Sequence, residues 1–195
     1  LSTTRIEPLR QMTRLRRLSL WWVQKLADIS PLSGMPLDVL VLDDLRYVND
    51  ITALGNLASL QALTIAGGMS TTQSIDTLEP LTRLADLKEL HLSALKLGDE
   101  SLRPLARCDA LTDLWLPNTF DVAEYAYLAA MRPDLRCLSL AAYERLEHRI
   151  NGKDVMVTGK RKPFLNSKED VEKMKVFEQR FDALVAGFRE AGELG

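Results

Sequence analysis

Cysteine, histidine and long apolar runs are all scarce in this chain, and neither sign of charge dominates. Two cysteines, Cys108 and Cys137, stand with no metal-ligand spacing between them, which excludes a disulfide scaffold or a zinc module built on cysteine pairs. They are expected to be buried thiols of a reducing compartment, so the expected location is the cytoplasm. No run of apolar residues approaches the roughly 20 needed to cross a bilayer, and no signal-peptide pattern is present in the residues given, which begin with Leu1. The formal net charge of -2 lacks the basic excess that a phosphate backbone demands. Neither nucleic acid nor membrane is therefore an expected partner. With two histidines, His91 and His148, the means for acid–base chemistry are few.

What the chain does have is leucine, in order. The form L-x-x-L-x-L recurs as LRRLSL from Leu15, LDVLVL from Leu37, LQALTI from Leu60, LKELHL from Leu87, LTDLWL from Leu111 and LRCLSL from Leu135, at intervals of 22, 23, 27, 24 and 24 residues. With 46% of its 195 residues hydrophobic, the chain has the material for one domain with a core and a small appendage. Before each run stands an apolar set at spacing three: Ile29 and Leu32; Ile51, Leu54 and Leu57; Leu78, Leu81 and Leu84; Leu102, Leu105 and Cys108; Leu128 and Met131. That spacing is helical or 3₁₀. Pro8, Pro31, Pro80 and Pro104 stand at the front of four such segments, where a missing N–H costs nothing. Each unit therefore predicts a helical turn, a bend and a short strand. One unit cannot bury its own leucines, at about 1.5–3 kcal/mol each, so the units must stack.

On these motifs the chain resembles a leucine-rich repeat protein over residues 1–143. Its DISPL, LDVLVL and DITALGNLASLQALTI segments are similar to the short-repeat type of internalin-like bacterial proteins. The resemblance implies an α/β leucine-rich repeat solenoid of about six repeats, a right-handed β-α superhelix with a parallel concave sheet, working as a protein-interaction module. The asparagine that follows the last leucine by three positions in that family is absent here; Val23, Leu45, Gly68, Leu95, Thr119 and Tyr143 occupy the column. The asparagine ladder that joins adjacent turns is thus not expected.

Three segments depart from the repeat. The longest unit contains AGGMSTTQSID, where Gly67 and Gly68 predict a loop, read as a tolerated insertion rather than a binding element. Ahead of Ile6, Leu9 and Met12 no strand appears, so either further repeats precede them or residues 1–14 shield the open core; the former is preferred. Residues 144–195 predict a C-terminal cap: an Asn151-Gly152 hairpin, then a helix opened by a Ser167/Asp170 capping box and closed by Gly192. Val171, Met174, Phe177, Phe181, Leu184, Val185 and Phe188 share one side of that helix. A docking role for it, in a partner or a second copy of the chain, is the alternative to capping.

Strand alternation then says what is displayed. If the last two leucines of each run point inward, the outward rows are Arg17, Ser19, Trp21; Val39, Val41, Asp43; Ala62, Thr64, Ala66; Glu89, His91, Ser93; Asp113, Trp115, Pro117; and Cys137, Ser139, Ala141, with Trp22 at the border. Exposed tryptophan beside carboxylates suits a protein partner with basic and apolar groups. The predicted partner-binding set is Arg17, Trp21, Asp43, Glu89, His91, Asp113 and Trp115. Glu89, His91 and Asp113 fall together, but an open sheet lacks the enclosed pocket that tunes catalytic groups. No catalytic, metal or cofactor site is expected, and TGKRKPF lacks the spacing of a phosphate loop. Its Lys160–Lys162 run reads as a solvated turn or a contact for an acidic partner. Two alternatives remain from the sequence: the recognition arm of a larger enzyme or effector, and a structural protein that self-associates through its C-terminal helix.

Overall fold

The computed structural model describes residues 5–23 and 25–193. It is a mixed α/β structure with a parallel sheet and a C-terminal helix, divided into two compact units, Leu1–Pro117 and Asn118–Gly195. The division falls within the region expected to be continuous repeat, which was placed at residues 1–143.

In the first unit the strands are β1 (Arg17–Trp21), β2 (Val39–Asp43), β3 (Ala62–Ala66), β4 (Gln73–Ile75), β5 (Glu89–Ser93), β6 (Leu95–Leu97) and β7 (Asp113–Trp115). Five of them form one parallel sheet in the order β1-β2-β3-β5-β7, and β4 pairs with β6 in a separate two-stranded parallel sheet. Register in the large sheet is unbroken: Leu18, Leu40, Leu63, Leu90 and Leu114 align across it, as do Leu20, Leu42, Ile65 and Leu92. These rows point inward. From β2 to β7 they are buried, whereas Leu18 and Leu20 on the edge strand β1 are only half-buried. The segment 1–14, the alternative shield, falls partly outside the described residues, and Leu9 and Leu15 are likewise half-buried.

Short 3₁₀ turns precede the strands at Glu7–Gln11, Ser30–Leu32, Thr52–Asn56, Glu79–Arg83 and Arg103–Arg107. Each closes with the same bond: the N–H of Leu9, Leu32, Leu54, Leu81 and Leu105 donates to the carbonyl three residues back, at 2.9–3.0 Å. From the second turn on, the apolar residues at spacing three are buried beneath them, Ile29, Leu57, Leu84 and Cys108 included, whereas Met12 after the first is exposed. Aspartates open two of the turns: Asp28 accepts the Ser30 N–H and Asp50 the Thr52 N–H, each at 2.7 Å.

Past each strand the chain turns sharply without asparagine. Trp22, Asp44 and Ala94, each the first residue beyond its strand, take φ of 50°, 50° and 47°. The N–H groups of Trp22, Asp44 and Gly67 donate to Asp43, Ala66 and Ser93 on the next strand, at 2.9–3.0 Å. Backbone bonds at these corners, left-handed at Trp22 and Asp44, thus continue the ladder past the strand ends.

The segment at 67–75 is more than an insertion. A Cβ on Gly67 would stand 2.4 Å from the Thr71 carbonyl and 2.5 Å from that of Ala94, so only glycine fits. Thr71 donates its hydroxyl to Asp44 at 2.7 Å and accepts the Gly68 N–H at 3.0 Å, and the loop then enters β4.

The sixth motif forms no strand, and here the expected count of six repeats is corrected to five sheet strands. LRCLSL lies in the second unit with one bridge residue, Arg136, and then turns, with Leu138 exposed, so Cys137, Ser139 and Ala141 lie on no strand. The segment before it is not a 3₁₀ turn but α1 (Val122–Met131), an α-helix of 10 residues capped by Asp121, which accepts the Ala123 N–H at 2.9 Å. Just beyond α1, Arg132 clasps Asp134 through two bonds of 2.9 and 2.7 Å and bends the chain before it can extend.

The second unit continues with β8 (Tyr143–Ile150), β9 (Lys153–Val157), β10 (Phe164–Leu165) and α2 (Val171–Glu193), the three strands forming an antiparallel sheet in the order β10-β9-β8. The hairpin turn is the expected Asn151-Gly152, with φ of 50° and 77°. Val155, Val157, Leu165 and Met174 make a core flanked by Tyr143 and Phe177. The capping box is not formed as expected: Ser167 bonds Asp154, at 2.7 Å for both its N–H and its hydroxyl, while Asp170 accepts the Asn166 N–H at 2.9 Å. Gly192 does not end the helix either. It lies within α2, where a Cβ would come within 3.1 Å of the Met131 methyl on α1. Phe188 meets Tyr127 edge-on at 5.5 Å, so much of the apolar side of α2 is spent on α1 and the hairpin sheet.

Candidate functional site

Opposite the leucine rows, the large sheet presents three rows of its own, fixed by the same register. Arg17, Val39, Ala62, Glu89 and Asp113 form the first; Ser19, Val41, Thr64, His91 and Trp115 the second; Trp21, Asp43, Ala66 and Ser93 the third. β7 ends at Trp115, so Pro117 does not extend the third row as expected.

All seven residues singled out from the sequence stand on this face. Trp115 is 50% exposed and Trp21 69% exposed; Arg17, Glu89 and His91 are exposed and Asp43 and Asp113 half-buried. The structure does not gather them into one cluster. Glu89, His91, Asp113 and Trp115 occupy β5 and β7. The His91 and Trp115 rings stand 6.0 Å apart, tilted by 34°, and Glu89 is the direct cross-strand partner of Asp113. Trp21 pairs with Asp43 at the far corner, and Arg17 lies at the other end of β1. At about 4.8 Å per strand, the face is roughly 19 Å wide from β1 to β7.

Between the two polar ends runs a strip that the sequence argument placed on the face but did not select: Val39, Val41, Ala62 and Thr64, each half-buried. Small and β-branched residues here leave a low apolar floor between the indoles. The alternation that marked Trp115 also marked these four positions; their modest size hid them.

Trp22 borders the face at the end of β1 and is 66% exposed. Next to it in the sheet, beyond β2, Asp44 anchors the loop at 67–72 through Thr71, and Met69 of that loop is fully exposed. The Thr71 hydroxyl, and secondarily Arg46, hold the Asp44 carboxyl below the usual carboxylate range. The loop is therefore fixed at the edge of the face.

Among the described residues no group of three or more His, Cys, Asp or Glu side chains could hold a metal ion, and neither cysteine is in a disulfide. Among them, too, no helix is long and apolar enough to cross a membrane.

No family model matches the chain, and neither does any curated protein. Among solved structures the chain is similar to an internalin from Listeria monocytogenes, with 23% identity and a TM-score of 0.46 over 75% of this chain and 46% of that one. It thus spans less than half the length of that protein.

Proposed function

We propose that residues 5–117 are the working part of a leucine-rich repeat solenoid, a right-handed β-α superhelix, and that the sheet face is its concave, non-catalytic binding surface for a protein partner. The observation that carries this reading is Trp115: a half-exposed indole on β7, beside His91 and one row away from the carboxylates of Glu89 and Asp113. Tryptophan anchors of this kind cost about 2 kcal/mol or more of binding when truncated. Glu89, Asp113 and Asp43 suit a partner that brings basic groups, and the floor of Val39, Val41 and Ala62 suits its apolar ones.

Size decides how the partner sits. Four strands of five residues and one of three cover about 360 Å² in plan at about 3.3 by 4.8 Å per residue, while a stable interface takes about 800 Å² from each partner. The bordering groups therefore join the contact, Trp22 and Met69 foremost.

The test begins with a partner purified on the wild-type chain and measures its affinity by calorimetry. Trp115→Ala and Glu89→Ala should each weaken binding, the former by roughly 30-fold. Lys96→Ala, on β6 and away from the large sheet, should leave it unchanged. A folded Trp115→Ala variant that binds like wild type would remove the face from consideration.

A further inference from the structure

The second unit carries a groove that the sheet face does not explain. It has a volume of about 380 Å³ and lies between β10 and the first turns of α2, floored by Leu165 and Phe177 and walled by Phe164 and Val176. Phe164 is 40% and Val176 42% exposed. The two apolar walls are thus open to solvent yet recessed into a hollow.

Charge surrounds this hollow in a fixed arrangement. Asp170, itself buried, holds the ammonium groups of Lys153 at 3.3 Å and of Lys173 at 2.7 Å, so two cations are positioned over one carboxylate at the lip. An ammonium group has three donors, so each lysine retains capacity for a further acceptor. The Lys160–Lys162 run stands on the turn that leads directly into Pro163 and Phe164. That turn is pinned: the Gly159 N–H donates to Asn118 Oδ1 and the Lys160 N–H to the Phe120 carbonyl, both at 2.6 Å. Between Lys153 and Lys175 the chain has seven basic and four acidic residues, against -2 for the whole, so this stretch is a local basic excess. Among the described residues β10, a strand of two residues, is paired on one side, with β9, and stands at the edge of its sheet.

From this combination we infer that the groove is a second docking site, and that its occupant is an extended acidic peptide segment carrying one large apolar anchor residue. The anchor enters between Phe164 and Val176, and its acidic flanks meet Lys153, Lys173 and the basic turn. The backbone runs beside the open edge of β10, as added strands do. A peptide suits the groove better than an anionic membrane does, because Phe164 and Val176, though exposed, line a hollow between β10 and α2 rather than forming a projecting apolar patch.

A fluorescein-labelled peptide of sequence Glu-Asp-Glu-Phe-Leu-Asp-Glu tests this, titrated against the full chain by anisotropy. Binding in the micromolar range is expected, at least tenfold weaker for the same peptide with Ala-Ala in place of Phe-Leu. Lys160→Glu/Arg161→Glu/Lys162→Glu and Val176→Asp should each cost at least tenfold as well, while Trp115→Ala should change nothing. Amide shifts of the wild-type protein on peptide addition give a readout that needs no variant, and they should centre on Phe164, Val176 and Phe177. The inference is overturned if the shifts lie elsewhere or if the alanine peptide binds equally well. It is overturned too if phosphatidylserine vesicles or a poly-uridine strand bind through these residues and the peptide does not.

Discussion

Leu114 and Trp115 are neighbours in sequence and opposites in environment, and replacing each by alanine separates the two faces of β7. Leu114 is 1% exposed and aligned with Leu90 in the inward row. Removing its three outer carbons forfeits their transfer energy and leaves a cavity, a combined cost of about 2–5 kcal/mol. β7 is the last strand of its sheet, where the surroundings can relax, so the expected loss is about 3 kcal/mol; for Leu90, in the middle of the row, it is nearer 4 kcal/mol. Trp115 gives up only the part of its surface that rests on His91 and the sheet, and leaves no cavity. The area lost would be worth at most about 2 kcal/mol, and about 1 kcal/mol after allowance for a compact unfolded chain. Urea unfolding followed by far-UV circular dichroism measures both. Leu114→Ala should be the more destabilising by at least about 1 kcal/mol. The reverse order would mean that the indole is the buried member, and the assignment of faces would fail.

Three further outcomes follow from local geometry. Ala94 holds φ of 47°, a conformation costing an L-residue about 1 kcal/mol or more, so Ala94→Gly should leave stability unchanged or raise it by up to about 1 kcal/mol in urea. Gly67→Ala, whose methyl would collide with backbone atoms on both sides, should lower it by roughly 1–3 kcal/mol in the same assay. The carboxyl groups of Asp28, Asp44 and Asp50 are held below the usual range, by the Ser30 N–H, the Thr71 hydroxyl and the Thr52 side chain respectively. Their contribution is therefore complete above the unfolded value of about 3.9 and lost as pH falls through the folded values. The urea midpoint should fall more steeply below about pH 4 for wild type than for Asp50→Asn, which keeps the turn's acceptor but cannot titrate.

Much of the first unit was legible because its signal is a period. An L-x-x-L-x-L run sets strand, register and inward face at once, and repetition removes the ambiguity of any single copy. What the period could not show is where it stops being obeyed. LRCLSL has the right letters, but DVAEYAYLAAM ahead of it lacks the leading proline of most earlier turns and offers Asp121 as a cap for helix-forming alanines. The resulting α-helix and the Arg132–Asp134 clasp decide the local path against the leucines. Asp121 and the alanine content were the readable warning.

The corners after the strands were hidden for a different reason. Tryptophan, aspartate and alanine share no chemistry that announces a positive φ; at Trp22 and Asp44 the backbone bond donated to the next strand offsets the local cost. On the sheet, alternation assigned all seven selected residues to the face opposite the leucine rows, but did not give their grouping. That Trp21 and Arg17 stand apart from the β5–β7 group is a matter of strand order and length, which no single strand contains. The basic turn at Lys160–Lys162 was visible as charge; the groove beside it depends on α2 starting at Val171 rather than at Ser167.

The account stands or falls on the side of the sheet from which Trp115 projects. A Trp21→Phe/Trp22→Phe variant leaves Trp115 as the sole tryptophan, and its fluorescence can be quenched with iodide in the native state. Red-shifted emission and a quenching constant approaching that of the urea-unfolded chain are expected. Blue-shifted emission that iodide hardly touches would place the indole in the interior and contradict the account.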